Sequence, residues 1–361
     1  MRKHNAENER IKRNYFTFQR EAKRQSEATV DAIAAALSRF EASTNYRPFK
    51  SFHQSQAVAF KNRLAGNGEA GKPLSKATQY STLSHLKRFF EWLSQEPGYR
   101  SRLRYTDAEY FNLSAKDSRV ATARRETSGP TLEQVQRVIR VMPADTDIEL
   151  RNRAVIAMIL QTGARDSAVA SMKLKHVDVQ RGYVFQDARE VKTKFSKTFK
   201  SYFFLVGEDV RAILDNWVAH LRDQLLWGDD DPLFPRTLVE VGENNQFMPT
   251  GLERAHWSNA TPIRKIFRKA FEQAGLPYFQ PHSLRKTLVA LGQKLCKTPE
   301  EFKAWSQNLG HEGVLTTFVS YGTVSENRQG ELIGGLRAAS SDQPDNLARE
   351  IARWLEQHGL G

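Results

Sequence analysis

The apolar residues in the N-terminal third of the chain recur every three or four positions, which is the spacing of one helix face. This pattern predicts a helix over Thr29–Phe40 and a weaker one over Phe52–Leu64. Ser75 is the expected N-cap of a third helix. The buried face of that helix would carry Tyr80, Leu83, Leu86, Phe90 and Leu93. Three basic residues lie beside or opposite that face: Lys76, Lys87 and Arg88.

The apolar periodicity stops between residues 114 and 130. This segment contains Lys116, Arg119, Arg124 and Arg125 and ends in Gly129-Pro130. Glycine and proline interrupt regular structure, so the segment is predicted to be a basic linker between two domains. The first 28 residues are also basic, and they are either an arm that reaches a partner or a solvated, partly helical terminus.

Helical spacing returns after the linker. Thr131 is expected to cap a helix whose inward residues include Val138, Ile139 and Val141. The segment Arg153–Leu160 is almost entirely apolar, yet it is too short to cross a membrane. It is therefore predicted to be the central helix of the second domain.

Between residues 183 and 206 the apolar period shortens, which predicts short strands over Tyr183–Phe185, Glu190–Thr193 and Lys200–Val206. The segment from Asp229 to Thr250 is expected to be rich in loops. Further helices are predicted over Asp209–Leu226, Thr261–Ala274, Pro281–Leu295, Glu300–Leu309, Val314–Tyr321 and Asn346–Gln357.

Together these elements predict a mainly α-helical protein with a small antiparallel β-sheet. The predicted parts are a basic N-terminal arm (1–28), a helical domain (29–113), the linker (114–130), a mixed α+β domain (131–339), and a hinge with a C-terminal helix (340–361). A length of 361 residues is ordinary for two domains.

Composition adds one strong constraint, a formal net charge of +13. Such a charge favours a polyanionic partner, most often nucleic acid, although a basic protein can also be merely soluble. The single cysteine, Cys296, excludes an internal disulfide, and no cluster has zinc-ligand spacing. Neither a signal peptide nor an apolar run of membrane length is present, so an intracellular protein is expected.

The candidate chemistry lies in three short motifs: Thr162-Gly163-Ala164-Arg165, Pro281-His282-Ser283-Leu284-Arg285 and Leu309-Gly310-His311. An enzyme that attacks a phosphodiester without a metal must neutralise its oxygens with fixed cations, and the arginine fork suits this purpose. His282 and Arg285 are three residues apart, so they share a helix face. Taken singly, each arginine is more often part of a structural salt bridge, and each histidine is more often structural.

In order and spacing, these motifs and Tyr321 resemble the active site of the tyrosine recombinases of the phage integrase family, over about Thr131 to Tyr321. The resemblance implies that Arg165 and Arg285 grip the scissile phosphate and that His282 and His311 bind its oxygens or assist proton transfer. It also implies that Tyr321 is the nucleophile. A lysine in a β-hairpin turn would protonate the leaving oxygen, and Lys194 is the first choice for it, before Lys192.

The chain departs from the family pattern at two places. Ala168 stands where the family often has an acidic residue, so the partner of the first arginine is unassigned. Tyr321 comes ten residues after His311, one more than the family pattern. One extra residue turns a helical position by about 100°, which would change the direction from which the tyrosine approaches.

The resemblance implies a site-specific recombinase that needs no cofactor or metal and works as a homotetramer on two double-stranded DNA sites, with accessory DNA-bending proteins as further partners. Residues 29–113 would be the DNA-binding domain and 131–339 the catalytic domain. DNA contacts are expected at Lys76, Lys87, Arg88, Arg119, Arg124 and Arg125. Such a protein would be cytoplasmic and associated with the nucleoid. The alternatives are a type IB topoisomerase and a non-catalytic DNA-binding protein on the same scaffold.

Overall fold

The computed structural model describes residues 4–66, 73–123, 129–242 and 245–311. The chain divides into two compact units, Met1–Arg124 and Arg125–Gly361. Both are predominantly helical, and the strands of the second unit form two small antiparallel sheets. The expectation of a mainly α-helical fold with a small antiparallel sheet is confirmed.

The described part of the first unit contains five α-helices joined by turns and short 3-10 segments. They are α1 (Ala6–Thr17), α2 (Glu27–Ser43), α3 (Gln54–Ala65), α4 (Lys76–Leu93) and α5 (Ala115–Thr122). The 3-10 segments are Phe49–Ser51 and Tyr105–Phe111, and a π-helical turn over Phe18–Ala22 extends α1. The helices predicted over Thr29–Phe40 and Phe52–Leu64 are therefore confirmed, with ends that shift by one to three residues.

Aromatic rings fill the core of this unit. Phe40 of α2 is 2% exposed, and its ring meets those of Phe52, Phe60, Phe90 and Phe111 at centroid distances of 5.3–6.0 Å. Most of these pairs are edge-to-face, which is a favoured geometry for aromatic quadrupoles. The cluster therefore joins helices α2, α3 and α4 into one body.

The N-terminal segment is part of this body from Ala6 onward. Ile11 and Tyr15 of α1 are buried in its core. Asn8 is fully buried and donates to Glu41 Oε1 at 3.0 Å, and Lys12 reaches the other oxygen of Glu41 at 2.6 Å. The basic residues of this segment thus lie on a packed helix, which favours the helical alternative for the terminus.

Two details of the sequence-based interpretation need correction here. Ser75 caps α4 as expected, but Tyr80 is 41% exposed and Phe89 takes a buried place instead. The first part of the segment interpreted as a linker is helix α5, which begins at the N-cap Ser114. Its apolar residues are so few that periodicity gave no signal, and the ion pair of Asp117 with Lys76 at 2.9 Å links it to α4.

The second unit is built around α7 (Asp147–Thr162), which is buried along most of its length as expected for a central helix. The other helices are α6 (Leu132–Val141), α8 (Asp166–Val169), α9 (Glu208–Ala219), α10 (Thr261–Gln273), α11 (Leu284–Leu295) and α12 (Pro299–Asn308). Short 3-10 segments cover Leu174–His176, Lys194–Ser196 and Pro281–Ser283, and a π-helical turn over His220–Gln224 extends α9. Thr131 caps α6 as predicted, but Val141 at the end of α6 is 49% exposed rather than inward.

One sheet has three strands in the order β1 (Val177–Asp178), β2 (Tyr183–Gln186) and β3 (Phe199–Tyr202), all antiparallel. The strand predicted over Glu190–Thr193 is wrong, because these residues form the turn region between β2 and β3. The second sheet is a hairpin of β4 (Arg236–Val241) and β5 (Phe247–Glu253), which lies where loops were expected. That expectation was also wrong. The sequence pattern did not indicate the hairpin, because Gly242, Pro249 and Gly251 interrupt its strand-forming residues.

Candidate active site

The end of α7 fixes the first arginine of the site. Gly163 closes the helix in the left-handed region, with φ of 62°, where a side chain would be strained. A Cβ at this position would also lie 2.6 Å from Leu309 Cδ2, so only glycine fits. The chain then turns through Arg165 into α8, which leaves the Arg165 guanidinium half-buried.

Arg285 is the most buried charge of the site, at 6% exposure. It lies in the first turn of α11 and donates to the backbone carbonyls of Gly163 and Leu309, both at 2.6 Å. Burial and the nearby charge of Arg165 lower the pKa of Arg285 to about 9. These contacts join the ends of α7 and α12 through a single guanidinium group.

His311 follows α12 and completes this arrangement. Its Nε2 lies 2.7 Å from Arg285 Nη2, which points to a neutral ring that accepts from the guanidinium. Gly310 makes the preceding turn with φ of 71°, and a Cβ there would collide with the ring of Phe199. The Leu309-Gly310 turn therefore brings the His311 ring onto Arg285.

The two histidines share one electrostatic environment. Burial, followed by the positive charges of Arg285 and Arg165, lowers the pKa of His311 to about 4. The same causes lower the pKa of His282, although this residue is exposed to solvent over much of its surface. Both rings are thus neutral at pH 7, and the four side chains act on one another as a single cluster.

The connection between β2 and β3, residues 187–198, carries Lys192 and Lys194 and is called the lysine turn. It lies next to this cluster. Lys194 begins a 3-10 segment, and its positive charge helps to lower the pKa of both His282 and His311. Lys192 lies in a different direction, with its Nζ 3.4 Å from the carbonyl oxygen of Ser258. Lys194 therefore acts on both histidines, whereas the ammonium group of Lys192 lies at the Ser258 carbonyl.

Sequence reasoning missed the residues that hold this turn in place. Ser171, two residues after α8, accepts a hydrogen bond from the Lys192 backbone N–H at 2.9 Å and donates to the Ala168 carbonyl at 3.0 Å. Glu190, just before the turn, pairs with Lys175 at 2.8 Å. A serine near the first arginine carries no sequence signal of such a role, because its partner lies 21 positions away.

No carboxylate among the described residues contacts Arg165 or Arg285. Ala168 is buried at 1% exposure, and Asp166 instead pairs with Arg264 at 2.8 Å. The backbone carbonyls of Gly163 and Leu309 orient Arg285 in the absence of an acid. Carbonyls do not neutralise a charge, so the cluster keeps a surplus of positive charge that an anion would compensate.

The remaining predicted residues divide into three groups. Lys76 pairs with Asp117, and Lys87 pairs with Glu109, each at 2.9 Å. Arg88 and Arg119 are exposed, and neither guanidinium forms a hydrogen bond or ion pair with the described parts of the chain. The third group lies outside the described residues: Arg124, Arg125 and Tyr321.

Two other kinds of site were sought over the same ranges. No group of three or more histidine, cysteine or acidic side chains in the described residues is arranged to hold a metal ion. None of the helices described is both long and apolar enough to cross a lipid bilayer.

Comparison with known proteins shows the family and the fold of the chain. The model of the phage integrase family matches residues 131–328, more than half of the chain. The chain belongs to the phage integrase family. A curated relative, tyrosine recombinase XerC of Halalkalibacterium halodurans, is 26% identical over 197 residues, which cover 54% of this chain and 57% of the relative. The chain thus spans about half the length of the first curated relatives that it matches.

Solved structures of the family have the same fold. One is a dimer of λ integrase residues 75–356 bound to a COC′ core site, with a TM-score of 0.58 and 13% identity. It aligns over 88% of this chain and 96% of that one. A λ integrase tetramer bound to a Holliday junction aligns with a TM-score of 0.53 and 15% identity, over 84% of this chain and 77% of that one.

The lowered histidine pKa values predict a loss of stability in mild acid. The unfolded chain takes up protons at its histidines near pH 6.5, whereas the folded chain holds His311 neutral to about pH 4. The unfolded state then binds more protons over this interval, so the free energy of unfolding falls as the pH is lowered through it. Urea unfolding at pH 7 and pH 5 measures the loss.

The matched variant is His311→Asn, whose amide can still accept from Arg285 but does not titrate. Its loss of unfolding free energy between pH 7 and pH 5 should be smaller than that of the wild type. Equal losses in the two proteins would show that His311 is not held neutral in the folded state.

Proposed function

We propose that this chain is a site-specific DNA recombinase, which cleaves and rejoins DNA strands through a 3′-phosphotyrosine intermediate. The observation that carries the proposal is the buried Arg285 guanidinium, which is oriented by two backbone carbonyls and His311 and contacts no carboxylate of the described residues. Membership of the phage integrase family supports the same reaction.

In this proposal the scissile phosphate supplies the missing negative charge. Arg165 and Arg285 bind its non-bridging oxygens, and the neutral rings of His282 and His311 donate or accept hydrogen bonds beside them. Charge develops on these oxygens as the phosphorus becomes five-coordinate. Donors that are already fixed stabilise this charge without reorganising, which is the largest contribution in many such sites.

The covalent step exchanges one phosphoester for another. The oxygen of Tyr321 bonds to phosphorus and passes its proton to one of the two neutral histidine rings, His282 or His311, while the bond from phosphorus to the 5′ oxygen breaks. Lys194 gives a proton to the departing 5′ oxygen, which leaves as a hydroxyl. Rejoining reverses these events with a 5′ hydroxyl as nucleophile, so the bond energy is kept throughout.

Recombination requires two DNA sites, and we propose that a homotetramer holds them. Support comes from the structural neighbour described as an integrase tetramer bound to a Holliday junction. Accessory DNA-bending proteins and association with the nucleoid are parts of the same proposal. The basic residues of the first unit and the linker would contact the phosphate backbone on either side of the cleaved bond.

The nucleophile is tested with Tyr321→Phe, which removes one hydroxyl. Folding and DNA binding should persist, while covalent adducts with a nicked suicide substrate should vanish, because the removed hydroxyl is the oxygen that bonds to phosphorus in this proposal. Denaturing gels measure the adducts. Adducts formed by Tyr321→Phe would move the nucleophile elsewhere, and relaxation of supercoiled DNA by single wild-type molecules would favour the topoisomerase alternative.

The proposed binding of the scissile phosphate by the two arginines is tested with Arg165→Ala and Arg285→Lys. Loss of one fixed donor to a developing oxyanion costs about 10²–10³ in rate, and each variant should lose at least that much in single-turnover cleavage. DNA affinity should stay within about tenfold, because many other phosphates are bound. Cleavage at the wild-type rate by a folded variant would reduce that arginine to a structural role.

The lysine turn is tested with a 5′-bridging phosphorothiolate, whose sulfur leaves without a proton. Lys194→Ala should cleave normal DNA slowly and the phosphorothiolate at nearly the wild-type rate, because general acids act only on poor leaving groups. Ser171→Ala should show a milder form of the same pattern, since Ser171 holds the turn. Lys192→Ala is the matched control, and rescue of that variant instead would assign the proton to Lys192.

The predicted DNA contacts of the first unit are tested by measuring DNA affinity at several salt concentrations. Each phosphate contact contributes about −0.9 to the slope of log affinity against log salt concentration. Arg88→Ala and Arg119→Ala should each flatten the slope by about one unit. Lys76→Ala and Lys87→Ala should change the slope less, because each lysine must break its ion pair with a carboxylate before it can bind a phosphate. An unchanged slope in all four variants would place this surface off the DNA.

A further inference from the structure

A cluster of charged side chains connects the start of the lysine turn to the 3-10 segment Leu174–His176. Its centre is the carboxylate of Glu190. Lys175 Nζ lies 2.8 Å from Oε1 of this carboxylate, and Lys173 Nζ lies 3.3 Å from Oε2. His176 Nε2 lies 3.2 Å from the same Oε2. Three side chains close together in the sequence thus meet one carboxylate of the lysine turn.

His176 is the buried member of this cluster, at 3% exposure. Its Nδ1 accepts a hydrogen bond from the Lys173 backbone N–H at 2.9 Å. Burial lowers the pKa of His176 below its usual value, so the ring is neutral at pH 7. A neutral imidazole has one ring proton, and this proton must then be on Nε2, the atom next to Glu190. The fold therefore fixes which nitrogen of His176 can donate to Glu190.

The 3-10 segment that carries these donors is held from its other side. The backbone N–H groups of Leu174 and Lys175 donate to the carbonyls of Asp231 and Asp229, at 3.0 Å and 2.9 Å. The Asp230 carboxylate accepts from the Nζ atoms of both lysines of the cluster, at 3.1 Å and 2.9 Å. The donors that meet Glu190 therefore have a fixed position.

Main-chain hydrogen bonds join Glu190 to the residue that precedes Lys194. The N–H groups of Glu190 and Val191 both donate to the Asp187 carbonyl, at 3.0 Å and 2.7 Å. The Thr193 N–H donates to the Val191 carbonyl at 2.7 Å, and the Val191 side chain is 2% exposed. A shift of Glu190 would therefore be passed along the backbone to Lys194.

This cluster matters more for geometry than for stability. Ion pairs at the surface contribute little to stability, because water and salt screen them. The rate of a reaction depends strongly on geometry, since a group misplaced by about 1 Å can cost roughly 10²-fold. A carboxylate held by three donors is suited to fixing the position of a turn.

We propose that His176 is a positioning residue, which acts through Glu190 to hold the lysine turn where Lys194 reaches the departing 5′ oxygen. This role rests on the proposed function of Lys194 as the general acid. Ser171 holds the middle of the turn at the Lys192 N–H. His176 and Glu190 hold its start.

Two substitutions separate the two hydrogen-bonding atoms of the His176 ring. His176→Asn keeps an acceptor for the Lys173 N–H but is too short to donate to Glu190, whereas His176→Gln can still place an amide N–H near the position of Nε2. We expect His176→Asn to slow single-turnover cleavage of normal DNA by about tenfold, because Lys194 is misplaced. His176→Gln should lose less. Both should cleave the 5′-bridging phosphorothiolate at nearly the wild-type rate, because sulfur leaves without a proton.

The matched control is His220→Asn. His220 Nε2 lies 2.8 Å from Asp147 Oδ1, so this variant removes another histidine–carboxylate contact of the second unit. It should cleave both substrates like the wild type. Wild-type cleavage of normal DNA by folded His176→Asn would overturn the proposal, and so would an equal loss on the phosphorothiolate.

A double variant decides whether His176 acts through Lys194. In the Lys194→Ala background, His176→Asn should cause no further loss on normal DNA, because the group that it positions is already gone. Losses that add up in the double variant would show that His176 acts by another route and would overturn the proposal.

Amide hydrogen exchange of the free full-length protein gives a readout that does not depend on cleavage. His176→Asn should speed exchange over residues 187–198, and His176→Gln should speed it less, because local opening is easier when the start of the turn is released. Unchanged exchange over these residues would overturn the proposal. Absence of cleavage by the wild type would refute the proposed function, while the exchange result would still decide whether His176 holds the turn.

Discussion

The geometry of the candidate site depends on one buried cation. The Arg285 guanidinium bonds the carbonyl at the end of α7 and the carbonyl at the end of α12, and it lies against His311. A buried charge without a counter-ion is costly, and carbonyls recover only part of that cost. The second unit thus keeps a positively charged cluster ready for an anion, at the expense of some stability.

Several features of the sequence are explained by this one group. Gly163 and Gly310 both adopt positive φ and leave no space for a Cβ, because the chain must bring the Gly163 carbonyl and the His311 ring close to the guanidinium. Ala168 is buried at the position where the family resemblance implies an acidic partner for Arg165, and the nearby Asp166 pairs with Arg264 instead. The neutral histidines follow from the same surplus of positive charge.

The lysine turn and the β4–β5 hairpin differ in their surroundings. Ser171 and Glu190 connect the turn that carries Lys194 to the segment after Arg165. The positions of Lys194 and Arg165 are therefore linked through the protein and do not depend on bound substrate. Over its described residues, the β4–β5 hairpin exposes apolar side chains near its tip.

Most of the described helices could be predicted from the sequence, because amphipathic spacing and caps such as Ser75 and Thr131 are local signals, whereas α5 has too few apolar residues to give a periodic signal. It also determined the ordered set of arginines and histidines, since their spacing within each motif is fixed by the local turn. Tertiary structure alone decided which lysine lies near the histidines, what orients Arg285 and which serine holds the turn. These depend on contacts between residues 20 to more than 100 positions apart. The β4–β5 hairpin was missed for a related reason, because pairing between strands compensates for the glycines and proline that weaken each strand on its own.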